Sequence, residues 1–346
     1  MFNWKDIKNR GRGLTFDDVL MMPARSDIRS RRDPQLTSKL TKNISLETPI
    51  ISANMDTITE YDMAFAMHQM GGMGILHRFI TTEEQTVQAR KLKEAGVKNV
   101  SASVGVGEEF KSRAKLLIDA GVNIITIDIA HGHSIQMMET LKWLKDQYPK
   151  VEIIAGNLAT PDAARDLIEA GADAIKVGIG PGSMCTTRII TGCGVPQLTA
   201  IALSAEIADS YGVPVIADGG IRTSGDMVKA FAAGASTIML GSMLSGTIET
   251  PGEIKNGKKQ YRGMASRSAQ DSWRGGVPEG MAPEGESTQV NVKGHVKDVI
   301  LEVTGGIRSG MSYVNATTIA EIREKALFIE MSANGVAESR AHGVKA

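Results

Sequence analysis

The run Gly178-Ile-Gly-Pro-Gly-Ser-Met-Cys-Thr-Thr-Arg188 puts one cysteine, two threonines and an arginine in a glycine-rich loop just after a strand-like segment. Glycines at 178, 180 and 182 open backbone conformations closed to other residues, so such a loop can wrap a ligand and present its amides. A thiol carried there, Cys185, is a candidate nucleophile. A single cysteine is as readily a small buried hydrophobe, but Cys-Thr-Thr-Arg is too polar to make a good core segment.

Composition bounds what surrounds that loop. With 346 residues, 42% hydrophobic and 23% charged, the chain can bury a core as one large domain or two small ones. Thirty-nine basic residues balance 39 acidic ones, so no broad field for nucleic acid or a membrane surface is expected, and an anionic ligand must be met locally. Two cysteines and an N-terminal Met-Phe-Asn-Trp-Lys without an apolar signal region point to a reducing, cytoplasmic setting. No run approaches the roughly 18 apolar residues of a membrane span, and no zinc-type ligand spacing occurs.

The elements that must position Cys185 show as a repeat. Four amphipathic runs end in Ala-Gly, at Ala95-Gly96, Ala120-Gly121, Ala170-Gly171 and Ala233-Gly234, the expected helix stop. Each is followed by a short β-branched run: Asn99 to Ser103, Ile124 to Asp128, Ala174 to Gly178 and Thr237 to Gly241. Pro49 to Ala53, Gly74 to His77, Glu152 to Gly156 and Pro214 to Asp218 share that character, as strands buried on both faces do. Eight strands alternating with helices predict an α/β fold, a (β/α)₈ TIM barrel, rather than a doubly wound sheet. Thr160-Pro161 and Ser224 read as helix starts. A long polar stretch over 245–296 reads as a mobile active-site flap after strand 8, without secondary structure of its own.

In such barrels the active site forms at the carboxyl ends of the strands, where Asn54, Asp56, His77, Arg78, Asp128, His131, Asn157 and the Cys185 loop all fall. That convergence favours a catalytic Cys185. Asp218-Gly219-Gly220 and Gly241-Ser242 follow strands 7 and 8, a common place for phosphate on backbone amides. Asp218 would repel phosphate and suits a pair of sugar hydroxyls. Phosphate, ribose and a nucleophile together suggest a nucleotide whose base lies beside the thiol. Cys193 is assigned a structural role, His68 and His295 capping or packing, and His131 and His133 lie where a cofactor could pass.

The ordered motifs Leu14-Thr-Phe-Asp-Asp-Val-Leu20, Gly178 to Arg188 with Gly194-Val-Pro-Gln197, Ala217-Asp-Gly-Gly-Ile-Arg222, Met239-Leu-Gly-Ser242 and Tyr261-Arg-Gly-Met264 resemble those of the inosine monophosphate dehydrogenase and guanosine monophosphate reductase family. The resemblance covers almost the whole chain. It implies one catalytic domain over residues 1–346, with no regulatory CBS pair between Arg78 and Val100. It implies that Cys185 attacks C2 of a purine, with Thr187 and Glu284 as a proton-transfer pair. Ser183, Asp218, Gly219, Gly220, Gly241, Ser242, Tyr261, Gly263 and Met264 would hold the monophosphate, GMP or IMP. Arg78, Asp128, Ile129 and Ala130 would meet NADPH, and carbonyls of Gly180, Gly182 and Cys185 a monovalent cation, K⁺. It also implies a homotetramer whose neighbours complete the sites.

Features of both branches of the family are mixed in the chain. Asp128-Ile-Ala-His-Gly-His-Ser134, Ile221 to Gly225 and the tail Ala337-Glu-Ser-Arg-Ala-His342 look dehydrogenase-like. Dehydrogenases hydrolyse their covalent adduct with an Arg-Tyr pair on the flap, and none occurs between Gly263 and Gly294, where Ser272-Trp273-Arg274 comes nearest. The compact spacing from Gly263 to Glu284, and Asn54 where dehydrogenases carry proline, look reductase-like. Arg78 stands where reductases carry lysine and keeps the charge. The resemblance therefore implies NADPH-dependent reductive deamination of GMP, with NAD-dependent oxidation of IMP as the alternative.

Overall fold

In the computed structural model, residues 1–339 are described, so Arg340 to His342 of the tail motif lie outside the described residues. Helices Thr82–Glu94, Phe110–Asp119, Pro161–Glu169 and Ser224–Ala233 stop at the four Ala-Gly pairs. Gly96, Gly121, Gly171 and Gly234 take φ of +85°, +101°, +109° and +115°, the left-handed turn that ends a helix and sends the chain back toward the sheet.

Eight strands follow from this punctuation: Ile50–Ser52, Met73–Leu76, Ser101–Val104, Ile124–Asp128, Glu152–Leu158, Ala174–Val177, Val215–Asp218 and Thr237–Leu240. They pair in parallel in chain order and close into a barrel, Met239 of the eighth lying opposite Ile51 of the first. Nearly every strand residue is buried, because one face fills the barrel and the other is covered by helices. The predicted (β/α)₈ barrel is thus the observed fold. The outer ring comprises Tyr61–Gln69, Thr82–Glu94, Phe110–Asp119, Ile135–Gln147, Pro161–Glu169, Gln197–Ser210, Ser224–Ala233 and Val296–Tyr313, the last packing between its neighbour and the first. No helix among the described residues is long and apolar enough to cross a membrane.

Two local expectations are corrected. Thr160 caps its helix as read, its hydroxyl accepting from the Ala163 amide at 3.3 Å. Ser224, however, is already helical. The cap is Thr223, which exchanges bonds with Asp226 at the third helical position, a reciprocal box that satisfies two orphan amides. The flap is also not devoid of structure: Lys258–Arg262 pairs antiparallel with Ser287–Asn291, with a helix at Arg267–Arg274 between them. Alternation at Lys259 and Tyr261, both buried, was masked because one inward residue is a lysine. Its ammonium donates to the carbonyl oxygens of Ile248 at 2.9 Å and Thr247 at 3.2 Å, and burial holds its pKa below the usual lysine value.

The N-terminal segment is tied to a strand beyond the barrel, and the barrel's amino end is closed. Val19–Met21 pairs antiparallel with Phe328–Glu330, and the Phe2 ring lies 5.9 Å from that of Phe328. A short hairpin, Ser38–Lys39 with Ser45–Leu46, buries Leu40 and Leu46. It is pinned where Thr237 Oγ1 donates to the Lys39 carbonyl at 2.9 Å.

Candidate active site

Strand 6 is followed by Gly178 because nothing larger fits: a Cβ there would lie 1.9 Å from the Asp218 carbonyl oxygen of strand 7. The chain then loops out and re-enters the short helix Thr187–Thr191. Arg188 fastens this loop from beneath, Nε donating to the Ile179 carbonyl at 3.3 Å and Nη2 to that of Val195 at 2.6 Å. The Cys185 amide donates to the Gly182 carbonyl at 3.1 Å. The half-buried Cys185 is thereby presented to a cleft of about 400 Å³ at the carboxyl ends of the strands.

Two further groups complete a chain of hydrogen bonds from the thiol. Cys185 Sγ lies 3.1 Å from Thr187 Oγ1, and Thr187 Oγ1 donates to Glu284 Oε2 at 2.8 Å. Glu284 comes from the flap, 97 residues further along. It is held because the flap runs antiparallel beside the loop at Cys185 and Gly285: the Thr186 amide donates to the Glu284 carbonyl at 3.2 Å, and the Glu286 amide to that of Met184 at 2.9 Å. Sequence separation hid this strip of pairing. Its chemistry is a relay: a proton leaving the thiol can pass through a hydroxyl to a carboxylate and return.

Along one wall lie Ser183, Asp218, Gly219, Gly220, Gly241, Ser242, Tyr261, Gly263 and Met264, all lining the same cleft. Ser183 Oγ and Tyr261 Oη are 3.1 Å apart, and burial raises the Tyr261 phenol above its ordinary pKa, so it stays a neutral donor. Gly263 is required by close approach, since a Cβ would meet the Met184 carbonyl oxygen at 2.9 Å. Asp218 Oδ2 is engaged by Lys176 Nζ at 2.7 Å and Asn157 Nδ2 at 2.9 Å. Asp218 Oδ1 takes no hydrogen bond from the described residues.

The opposite wall is aromatic and cationic. Arg78, Asp128, Ile129 and Ala130 line it, with the Phe79 and Trp273 rings edge to face at 5.3 Å. The Arg78 guanidinium lies 4.6 Å from the Phe79 ring and that of Arg274 4.0 Å from Trp273. Arg78 Nε is 3.5 Å from Asp128 Oδ2, too long for a good hydrogen bond. Arg78 Nε and Trp273 Nε1 are both buried and unpartnered. Such orphaned donors fit a polar ligand laid across this wall.

Other sequence-derived candidates are elsewhere. Asp56 faces the flap and pairs with Arg262. His77 is buried, with Nε2 3.2 Å from Glu60 and Nδ1 accepting from the Phe79 amide. His131 and His133 do not line the cleft; His133 Nε2 lies 2.8 Å from Asp166 on an adjoining surface depression. Cys193 is exposed beyond Gly192 and packs no core, contrary to its structural assignment, and His295 meets Glu249 at 2.8 Å. Sequence reasoning missed Lys176, only 2% exposed and reaching into the cleft from strand 6. The available signal was a lysine inside the apolar run Ala-Ile-Lys-Val, which rarely occurs without a buried partner.

Comparison with known proteins agrees with this geometry. Residues 13–342 match the IMP dehydrogenase / GMP reductase domain. The chain is 41% identical to an inosine-5'-monophosphate dehydrogenase of Cryptosporidium parvum, over 98% of this chain and 97% of the relative. It is 34% identical to a GMP reductase of Leishmania donovani, over 96% and 97%. A crystal structure of a GMP reductase from Trypanosoma brucei in complex with guanosine 5'-monophosphate superposes with a TM-score of 0.92 at 33% identity, covering 96% of this chain and 98% of that one. A closed barrel whose thiol, relay and glycine wall share one cleft, matched over nearly its whole length, makes this chain a member of the IMP dehydrogenase / GMP reductase family of nucleotide-dependent oxidoreductases.

Proposed function

We propose that this protein is a GMP reductase, converting GMP to IMP and ammonia at the expense of NADPH, as a single catalytic domain. The observation that carries the reading is the Cys185–Thr187–Glu284 chain of hydrogen bonds, at 3.1 and 2.8 Å. Cys185 adds to C2 of the purine, its proton passing through Thr187 to Glu284. The same proton returns to the C2 amino group, which is a poor leaving group until protonated. Ammonia departs and leaves a thioimidate on Cys185. A reduced nicotinamide, when bound, supplies hydride for C2, after which the C2–S bond breaks and the thiolate is released.

Arg78, Asp128, Ile129 and Ala130 are the residues to hold that cofactor, the unpartnered Arg78 Nε and Trp273 Nε1 offering donors. Asp218 Oδ1 and the glycine wall hold the ribose and phosphate. Carbonyls of Gly180, Gly182 and Cys185 form a hard-oxygen set for K⁺, the Gly182 oxygen sharing itself with the Cys185 amide. We also assign the protein to the cytoplasm, where its two free thiols stay reduced, as a homotetramer.

The second reading is IMP dehydrogenase, favoured by the name of the 41% identical relative. Hydrolysis of its adduct needs a base for water. In the flap the cleft receives Trp273, Arg274, Met281 and Glu284 but no tyrosine between Gly263 and Gly294. Following reduced nicotinamide absorbance with GMP plus NADPH, and separately with IMP plus NAD⁺, separates the two. Consumption of NADPH with release of IMP is expected; robust XMP formation from IMP overturns the assignment.

A further inference from the structure

Lys176 is buried to 2% exposure, and its environment is specific. Its ammonium lies 2.7 Å from Asp218 Oδ2 and 4.0 Å from Asp128 Oδ1, and it donates to Asn157 Oδ1. Asn157 in turn donates to Asp218 Oδ2 at 2.9 Å and to the Gly178 carbonyl at 2.8 Å. Asp128 continues to Arg78 at 3.5 Å. Charges therefore alternate, Arg78, Asp128, Lys176, Asp218, from the aromatic wall across the barrel mouth to the glycine wall. The two carboxylates share one ammonium, but unequally: Lys176 is in full contact with Asp218 and at longer range from Asp128.

We propose that Lys176 is a positioning residue that couples the two halves of the cleft, so that occupancy of the Asp128 wall strengthens nucleotide binding at Asp218. When hydroxyls of a bound dinucleotide donate to Asp128, that carboxylate no longer draws on Lys176. The ammonium is then committed to Asp218 Oδ2, which fixes Oδ1 for the ribose diol. Such linkage is reciprocal by thermodynamic necessity. The proposal rests on the two walls being nucleotide and cofactor subsites, but not on which direction the reaction runs.

The test is equilibrium binding without turnover. IMP is titrated by calorimetry into the full chain, alone or with saturating NADPH, a pair that cannot exchange hydride in either reading and in which no amino group can leave C2. Coupling at a typical scale predicts that the dinucleotide tightens nucleotide binding at least about fivefold. In Lys176→Met that ratio falls to near one, and Lys176→Arg, which keeps a cation between the carboxylates, restores most of it. Asp128→Asn commits Lys176 to Asp218 with no dinucleotide bound, so nucleotide alone should bind about fivefold tighter than to the wild type while the ratio falls toward one, whereas a mere loss of dinucleotide binding would leave the affinity for nucleotide alone unchanged. That variant carries the test if Lys176→Met fails to fold. A ratio near one in the wild type, or an unchanged ratio or unchanged affinity for nucleotide alone in Asp128→Asn, overturns the proposal. If the ratio behaves as stated but GMP is not reduced, the coupling stands and the reductase reading fails.

Discussion

At the scale of single residues, the proposed reaction depends on a thiol whose proton has somewhere to go. Thr187 and Glu284 provide that path. Cys185→Ser should bind nucleotide within a few-fold of wild type and lose turnover, because an alcohol without a dedicated base is a far weaker nucleophile; calorimetry and the NADPH assay read the two effects, and measurable turnover by the serine variant would refute covalent catalysis. Glu284→Gln keeps the hydrogen bond to Thr187 but cannot take its proton. It should slow deamination by roughly 10²–10⁴-fold with nucleotide affinity retained, as single-turnover kinetics would show. The Cys185 loop and the glycines after strands 7 and 8 were legible as a candidate site because their residue types are unusual at strand ends, whereas the pairing of Thr187 with Glu284 was implied only by resemblance to the family. Lys176 and Trp273 were not legible: a lysine in an apolar run and a tryptophan in a polar stretch declare their roles only when strand and flap are placed together.

At the scale of elements, the flap is where the sequence misled and where the structure adds a constraint. Its polar composition hid a hairpin, since inward positions carry Lys259 and Tyr261 rather than aliphatic residues. The hairpin is anchored through Arg262, whose Nε donates to Asp56 Oδ2 at 3.0 Å and Nη1 to the Ser268 carbonyl at 2.8 Å. Both side chains are about nine-tenths buried, so removing one strands the other. Breaking a buried pair from one side costs about 3–5 kcal/mol. Arg262→Met should therefore loosen the segment that delivers Glu284 while leaving the barrel closed. Hydrogen exchange should accelerate on the order of a hundredfold across 258–291 and not in the barrel strands, with turnover falling alongside. Uniform exchange across both regions would place the anchor in global stability instead.

At the scale of the whole molecule, the barrel was readable because four of its units announce themselves locally, each by a left-handed glycine stop followed by a short buried run. Contacts between distant segments leave no such mark. Val19–Met21 and Phe328–Glu330 are separated by the entire barrel, yet they pair residue by residue. Phe328 is fully buried there, with Phe2 against its ring, and the Phe2 and Phe328 backbones exchange hydrogen bonds at 3.1 and 2.8 Å. This junction ties the N-terminal segment to the strand at Phe328–Glu330, and Phe328 lines no part of the cleft. Phe328→Ala removes the ring from a closed site that cannot easily collapse, a change worth about 3–5 kcal/mol. Denaturant unfolding should shift to a lower midpoint with an unchanged slope, since the surface exposed on unfolding barely changes. Turnover per folded molecule should stay within about twofold, because the site hangs on the strand ends and the flap rather than on the termini. A loss of turnover without a loss of stability would show that the terminal strands act on the cleft directly.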